Sequence, residues 1–177
     1  MTKLSLIHAP DKIFKQEANP VKEVNDEIRE IIDQMFDVTR IEKGVGIGAN
    51  MVGILKRIIV VNWEAGNSKF SMVNPEITWS SEDTQEFTEA SLSFPGIEAK
   101  ITRPKKIKLS YLDYNNQKQE MEAEGFLATV IQHEIDYLDG KVFLDHLSKM
   151  KRDRLLKKMQ KYIKLNPPSC VKSCCNH

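Results

Sequence analysis

The stretch from Phe126 to Leu138 limits the possible folds more than any other part of the sequence. Phe126, Leu127, Val130, Ile131 and Leu138 recur at helical spacing with few polar residues between them, so the helix they predict belongs inside the protein. Gly140 supplies its C-terminal stop. A buried helix needs other elements on several sides. A chain of 177 residues has room for one sizeable core around it and not for two ordinary domains.

The covering elements can be read from the rest of the chain. Asn25 is a candidate N-cap, with Asp26 and Glu27 in the first turn, for an amphipathic helix over 25–41 whose stripe is Ile28, Ile31, Ile32, Met35 and Phe36. Gly44, Gly46 and Gly48 follow at alternating positions, which suits backbone passing very close to something else. From Arg57 to about residue 121, short apolar runs separated by turn residues read as antiparallel strands: IIVVNW at 58–63, MVNPEI at 72–77, and Ile107, Leu109 and Tyr111 in alternation. A third helix over about 146–164 carries Leu155, Leu156, Met159, Tyr162 and Ile163 on one side, until Pro167 and Pro168 end it. This order predicts an α+β fold, with antiparallel sheets packed around a buried helix and a C-terminal helix added. A single domain over 1–165 is expected, with a disordered cysteine-rich tail at 166–177.

Composition excludes some function classes. Apolar residues at 41% and charged residues at 29% are ordinary for a folded protein and unlike disordered or membrane chains. No apolar run reaches 18 residues and the first twenty residues lack the apolar centre of a signal peptide, so a bacterial cytosol or an organelle matrix is the expected compartment, with no membrane partner. All three cysteines, Cys170, Cys174 and Cys175, fall in the last eight residues, where with His177 they match no structural zinc spacing and frame no disulfide core. Net charge is only +1, yet segment 149–164 holds eight basic residues against Asp153 alone. Such a segment is usually a solvated face, and its sharper reading is contact with RNA.

The buried helix carries the chemistry. Along Gln132-His133-Glu134-Ile135-Asp136-Tyr137, His133 and Tyr137 stand four residues apart on one face. This is the HExxH spacing with its second histidine replaced. In HExxH helices both histidines bind a metal and the glutamate is general base for metal-activated water. Taken alone, a histidine so placed is more often a hydrogen-bonded core residue than a ligand.

The wider stretch EGFLATVIQHEIDYLDGKVFLDHLS (124–148) resembles the third motif of peptide deformylases. GVGIGANMVG at 44–53 resembles the first motif of that family, and EASLSFPG at 89–96 the second, where Glu-Gly-Cys-Leu-Ser is usual. VNPEI at 73–77 and RPKKIKLSYLD at 103–113 fit the same pattern, and the resemblance runs to about residue 160. It implies that Ser91, His133 and Tyr137 occupy the three metal-ligand positions. It places Glu134 as general acid/base, Leu92 N–H and Met51 at the two oxyanion-donor positions, and Gly44, Gly46 and Ile47 along the substrate groove. It also implies a structural salt bridge of Glu89, with Arg103 as the candidate partner. The implied substrate is the formyl-methionyl end of a nascent peptide, with a ribosome or RNA contact through 149–164.

At three of these positions the chain departs from the family. A serine hydroxyl stays protonated near neutral pH and is a poor stand-in for a thiolate, and a tyrosine ligates only as a phenolate, far from its ordinary pKa. Methionine has no N–H for an oxyanion, a loss that costs about 10²–10³ in rate. The expectation is therefore a deformylase-like protein with no tightly held metal and impaired deformylation, still able to bind nascent or formylated peptide. The alternative is an active hydrolase, using iron, zinc or nickel in an atypical site or a Ser91–His133 pair. A folded-back tail lending a thiolate is a further route to metal.

Overall fold

The computed structural model describes residues 3–167. The expectations for residues 168–177, including those for Cys170, Cys174, Cys175 and His177, lie outside the described residues.

The sequence signals at 25–41 produce helix α1, Asp26–Ile41, whose N-cap Asn25 accepts from the Ile28 N–H at 3.1 Å. A short strand β1, Gly46–Gly48, follows. Then come β2 (Ile58–Trp63), β3 (Ser68–Ser80), β4 (Thr84–Ser91), β5 (Phe94–Pro104), β6 (Lys106–Leu112) and β7 (Lys118–Glu124). Five strands form one antiparallel sheet in the order β1-β2-β3-β6-β7, while β4 and β5 make a separate two-stranded sheet. The hairpin turns at Leu92 and Ser93, so the EASLSFPG segment is a strand end, a turn and a strand start.

Helix α2, Gly125–Leu138, lies between the sheets with ten of its residues buried. Helix α3, Lys149–Leu165, packs against β5. It starts later than the expected residue 146, because Phe143–His146 form a separate 3-10 turn and Ser148 caps the helix, accepting from the Lys151 N–H. Among the described residues, no helix is long and apolar enough to cross a membrane.

Strand β2 explains the unbroken IIVV run. Alternate side chains point to opposite faces, and both faces are covered. Ile58 and Val60 join the core beneath α1, whereas Ile59 and Val61 join Met72, Ile107, Leu109 and the apolar side of α2. All four are fully buried. At roughly 1.5–3 kcal/mol for each such side chain, this six-residue strand contributes as much hydrophobic stabilisation as many whole helices. The alternating glycines of the first motif have their reason in the same place. A Cβ on Gly46 would stand 3.1 Å from the Val60 carbonyl oxygen and 3.4 Å from Glu134 Cγ, so only a glycine lets β1 lie flush against both β2 and α2.

Candidate functional site

Between β1, the β4–β5 hairpin and α2 runs a groove of about 420 Å³. His133 and Glu134 form part of its lining from α2, Gly44, Gly46 and Met51 from the first motif, and Ser91 and Leu92 from the hairpin turn. Folding thus gathers seven of the nine expected site residues, drawn from three segments far apart in sequence. One expectation needs correction. Ile47 is fully buried with its side chain in the core, because alternation along β1 turns it away from the face that Gly46 presents. Tyr137, expected at a ligand position, sits fully buried behind Ser91 with its ring 5.3 Å from that of His133, packed edge-on to Phe14 at 5.8 Å and beside Phe94 at 6.5 Å.

Ser91 and Tyr137 are joined directly. Ser91 Oγ and Tyr137 Oη share a hydrogen bond of 2.5 Å, and the Ser93 N–H donates to the same serine oxygen at 3.3 Å. Burial pushes the Tyr137 hydroxyl well above its ordinary pKa of 10, which outweighs the help it has from Ser91. Burial thus works against a Tyr137 phenolate.

His133 is held from its other side. Its Nδ1 lies 2.8 Å from Glu89 Oε2, while Arg103 donates to both oxygens of Glu89 at 2.6 and 2.9 Å. Arg103 also donates to Asp136 at 2.8 Å, and His146 Nε2 lies 2.7 Å from the same Asp136 oxygen. Burial alone would raise the Glu89 carboxyl, but hydrogen bonds from His133 and Arg103 outweigh it and hold Glu89 below its ordinary range. Asp136 is lowered in the same way, against burial, chiefly by His146 and Arg103. The Glu89–Arg103 pairing matches expectation; the links to His133, Asp136 and His146 carry no sequence signal, because they cross from strand to helix to turn. Phe143, also unforeseen, stacks on the His133 ring at 5.9 Å.

Glu134 is different. Its carboxyl is pushed up to about 7 by burial, which attraction to His133 and the Gly48 N–H only partly offset. One of its oxygens, Oε2, is buried without a hydrogen-bond partner. Ser91, the expected alternative nucleophile, has its hydroxyl engaged with Tyr137 and forms no hydrogen bond with His133 among the described residues.

A groove floored by a His-Glu pair on a buried helix, walled by antiparallel strands, defines a hydrolase-type scaffold of the HExxH-helix kind. The comparisons narrow this: the Polypeptide deformylase family profile matches residues 3–153, and the chain belongs to the peptide deformylase family. A "peptide deformylase-like" protein of Rickettsia conorii is 60% identical over 174 residues, covering 97% of this chain and 95% of that one. A peptide deformylase of Rickettsia akari is 40% identical over 169 residues, covering 91% and 97%. The crystal structure of Ehrlichia chaffeensis peptide deformylase in complex with actinonin superposes with a TM-score of 0.86 at 38% identity, covering 92% of this chain and 98% of that one.

The family normally holds a divalent metal, and the side chains here do not fit one. Such an ion needs deprotonated or lone-pair donors converging on a point. Of the three ligand positions, His133 alone offers a strong donor, and the other two are hydroxyls, weak ligands while protonated, bonded to each other. Among the described residues, no group of three His, Cys, Asp or Glu side chains converges as a metal site.

Proposed function

We propose that this chain keeps the deformylase groove as a binding site for the N-terminal end of nascent or formylated peptides and has lost metal-dependent deformylation. The observation that carries this reading is the Ser91–Tyr137 hydrogen bond, which joins two of the three ligand positions as hydroxyls in a buried, aromatic setting. Without a bound metal, water keeps its pKa near ~15.7 instead of ~7, and Glu134 alone does not replace that activation. Met51, fully buried in the groove wall, offers no donor to a developing oxyanion. The groove itself is intact in outline, and shape and metal are separable features.

The test is metal content per chain by mass spectrometry beside formate release from a formyl-methionyl peptide. Less than a tenth of a metal per chain and no formate are expected. Near-stoichiometric metal with turnover would overturn the reading and point to the atypical-site hydrolase.

The basic face of α3 supports a second element of the same reading, contact with the ribosome or RNA in a bacterial cytosol or organelle matrix. Lys149, Lys151, Arg154, Lys157, Lys158, Lys161 and Lys164 are exposed, while Met159 is buried toward β5. Affinity for ribosomes should then fall steeply between low and moderate salt.

A further inference from the structure

A second cavity, of about 490 Å³, lies between the N-terminal segment, the 3-10 turn Lys12–Lys15, the turn Phe143–His146 and α3. It backs onto the groove, since Phe14 and Phe94 in its floor are the rings packed on Tyr137. The floor is apolar: Phe14, Phe94, Val142, Leu144 and Met159 are buried and Leu156 is half-buried. A volume within the roughly 300–1,000 Å³ of ligand pockets, apolar inside with a few charged groups around it, has the make-up of a small-molecule site. Those charged groups are unevenly engaged. Asp145 accepts from the Val142 N–H at 2.9 Å and from Arg152 at 3.3 Å, and Asp11 accepts from the Ile13 N–H at 2.9 Å. Asp153 stands one turn from both Lys149 and Lys157 on α3. The cations are freer. Lys12 and Lys15, three apart in a 3-10 turn and so on one side of it, form no ion pair among the described residues. Arg152, half-buried, has no partner among the described residues beyond its one bond to Asp145 and its place in the helix.

We propose that this cavity binds an amphiphile with an anionic head, the carboxylate of a medium-length acyl chain. The chain lies on Phe14, Phe94, Leu144 and Leu156, and the carboxylate meets Arg152 with Lys12 and Lys15 beside it. A guanidinium is suited to that head, because its planar fork gives a carboxylate two parallel N–H bonds. A peptide fits less well. The walls are helical turns and Pro10, which has no N–H, so they present no strand edge to pair with its amides, and those amides would be buried unsatisfied. An acyl chain brings no such groups. This site is independent of whatever the groove itself binds.

The experiment titrates the full chain near neutral pH with decanoate, decanol and decylammonium, each below the concentration at which it forms micelles. Calorimetry gives the affinity, and methyl NMR signals give the location, Leu144 and Leu156 reporting on the cavity and Val45 and Val130 on the groove. Decanoate is expected to bind at least about tenfold more tightly than the other two and to shift the Leu144 and Leu156 signals. Leu156→Trp, which fills the cavity, should weaken decanoate binding at least about tenfold, and Arg152→Gln with Lys12→Gln should bring decanoate to within about threefold of decanol. The three ligands on the unaltered chain decide the matter even if those variants fold poorly. No saturable binding of decanoate, an alcohol or ammonium that binds as tightly, or shifts confined to Val45 and Val130 would each overturn the assignment.

Discussion

Arg103 is the side chain whose removal tests the site's architecture most directly. It is 4% exposed beside a Glu89 that is 3% exposed, and it makes two hydrogen bonds to Glu89 and one to Asp136. Arg103→Met fills similar volume but leaves Glu89 buried with only His133 for company, and removing one partner of a buried ion pair costs about 3–5 kcal/mol. That is a large part of the ~5–15 kcal/mol a domain of this kind has in total. Most of the loss is the stranded negative charge, so Glu89→Gln added to Arg103→Met should recover about 1–3 kcal/mol instead of adding to the damage. Urea unfolding of both single variants, the double variant and the parent, each with EDTA present, measures all four corners. If the double variant lost the sum of the two single losses, the reasoning that Arg103 neutralises Glu89 would be wrong.

Three further outcomes follow from the same geometry. Ser91→Ala should cost about 1–3 kcal/mol by stranding the buried Tyr137 hydroxyl, and Tyr137→Phe about 0.5–1.5 kcal/mol because the half-buried Ser91 hydroxyl lines the groove, while the double variant should cost about 1 kcal/mol less than their sum; strict additivity in a double-mutant cycle would refute the pairing. Glu134, pushed up to about 7 from 4.5, holds in the folded chain a proton that the unfolded chain releases, so stability should fall as pH rises across that window. Glu134→Gln should flatten that limb and be more stable above pH 7 by about 3 kcal/mol, unless urea midpoints from pH 5 to 8 run parallel for the two proteins. Restoring the three family side chains together, Ser91→Cys, Tyr137→His and Met51→Gln, should yield close to one metal per chain and measurable formate release. A variant that folds yet takes up no metal would show that the defect lies outside those three positions.

What the sequence discloses depends on whether a feature is local. Asn25 as a cap, the stripe of α1 and the burial of α2 follow from spacing alone, and the structure has them where spacing puts them. The hairpin β4–β5 as a sheet of its own does not follow, because pairing register is settled between strands and leaves only alternation in each. The late start of α3 turns on one cap, Ser148, and on a 3-10 turn before it that propensity does not separate from helix. In the site, the motif pattern brought His133, Glu134, Ser91 and Met51 to one groove. The second coordination of Glu89, to Arg103 and His133 at once, was hidden because it depends on where a strand face meets a helix face. Ile47 was misplaced for a related reason: a motif gives a segment, whereas alternation decides which side chain of the segment looks inward.

Strand β2 has a further consequence beyond filling space. Its even and odd side chains belong to two different cores, so neither core can open while the other stays shut. Unfolding should therefore proceed as one cooperative event through the region that carries the groove, with the amides of 58–61 exchanging their hydrogens only at the rate of global opening. A groove whose floor and wall are both bolted to such a strand is preorganised. It meets its ligand without first having to order itself, and the free energy of binding is then spent on the contact alone.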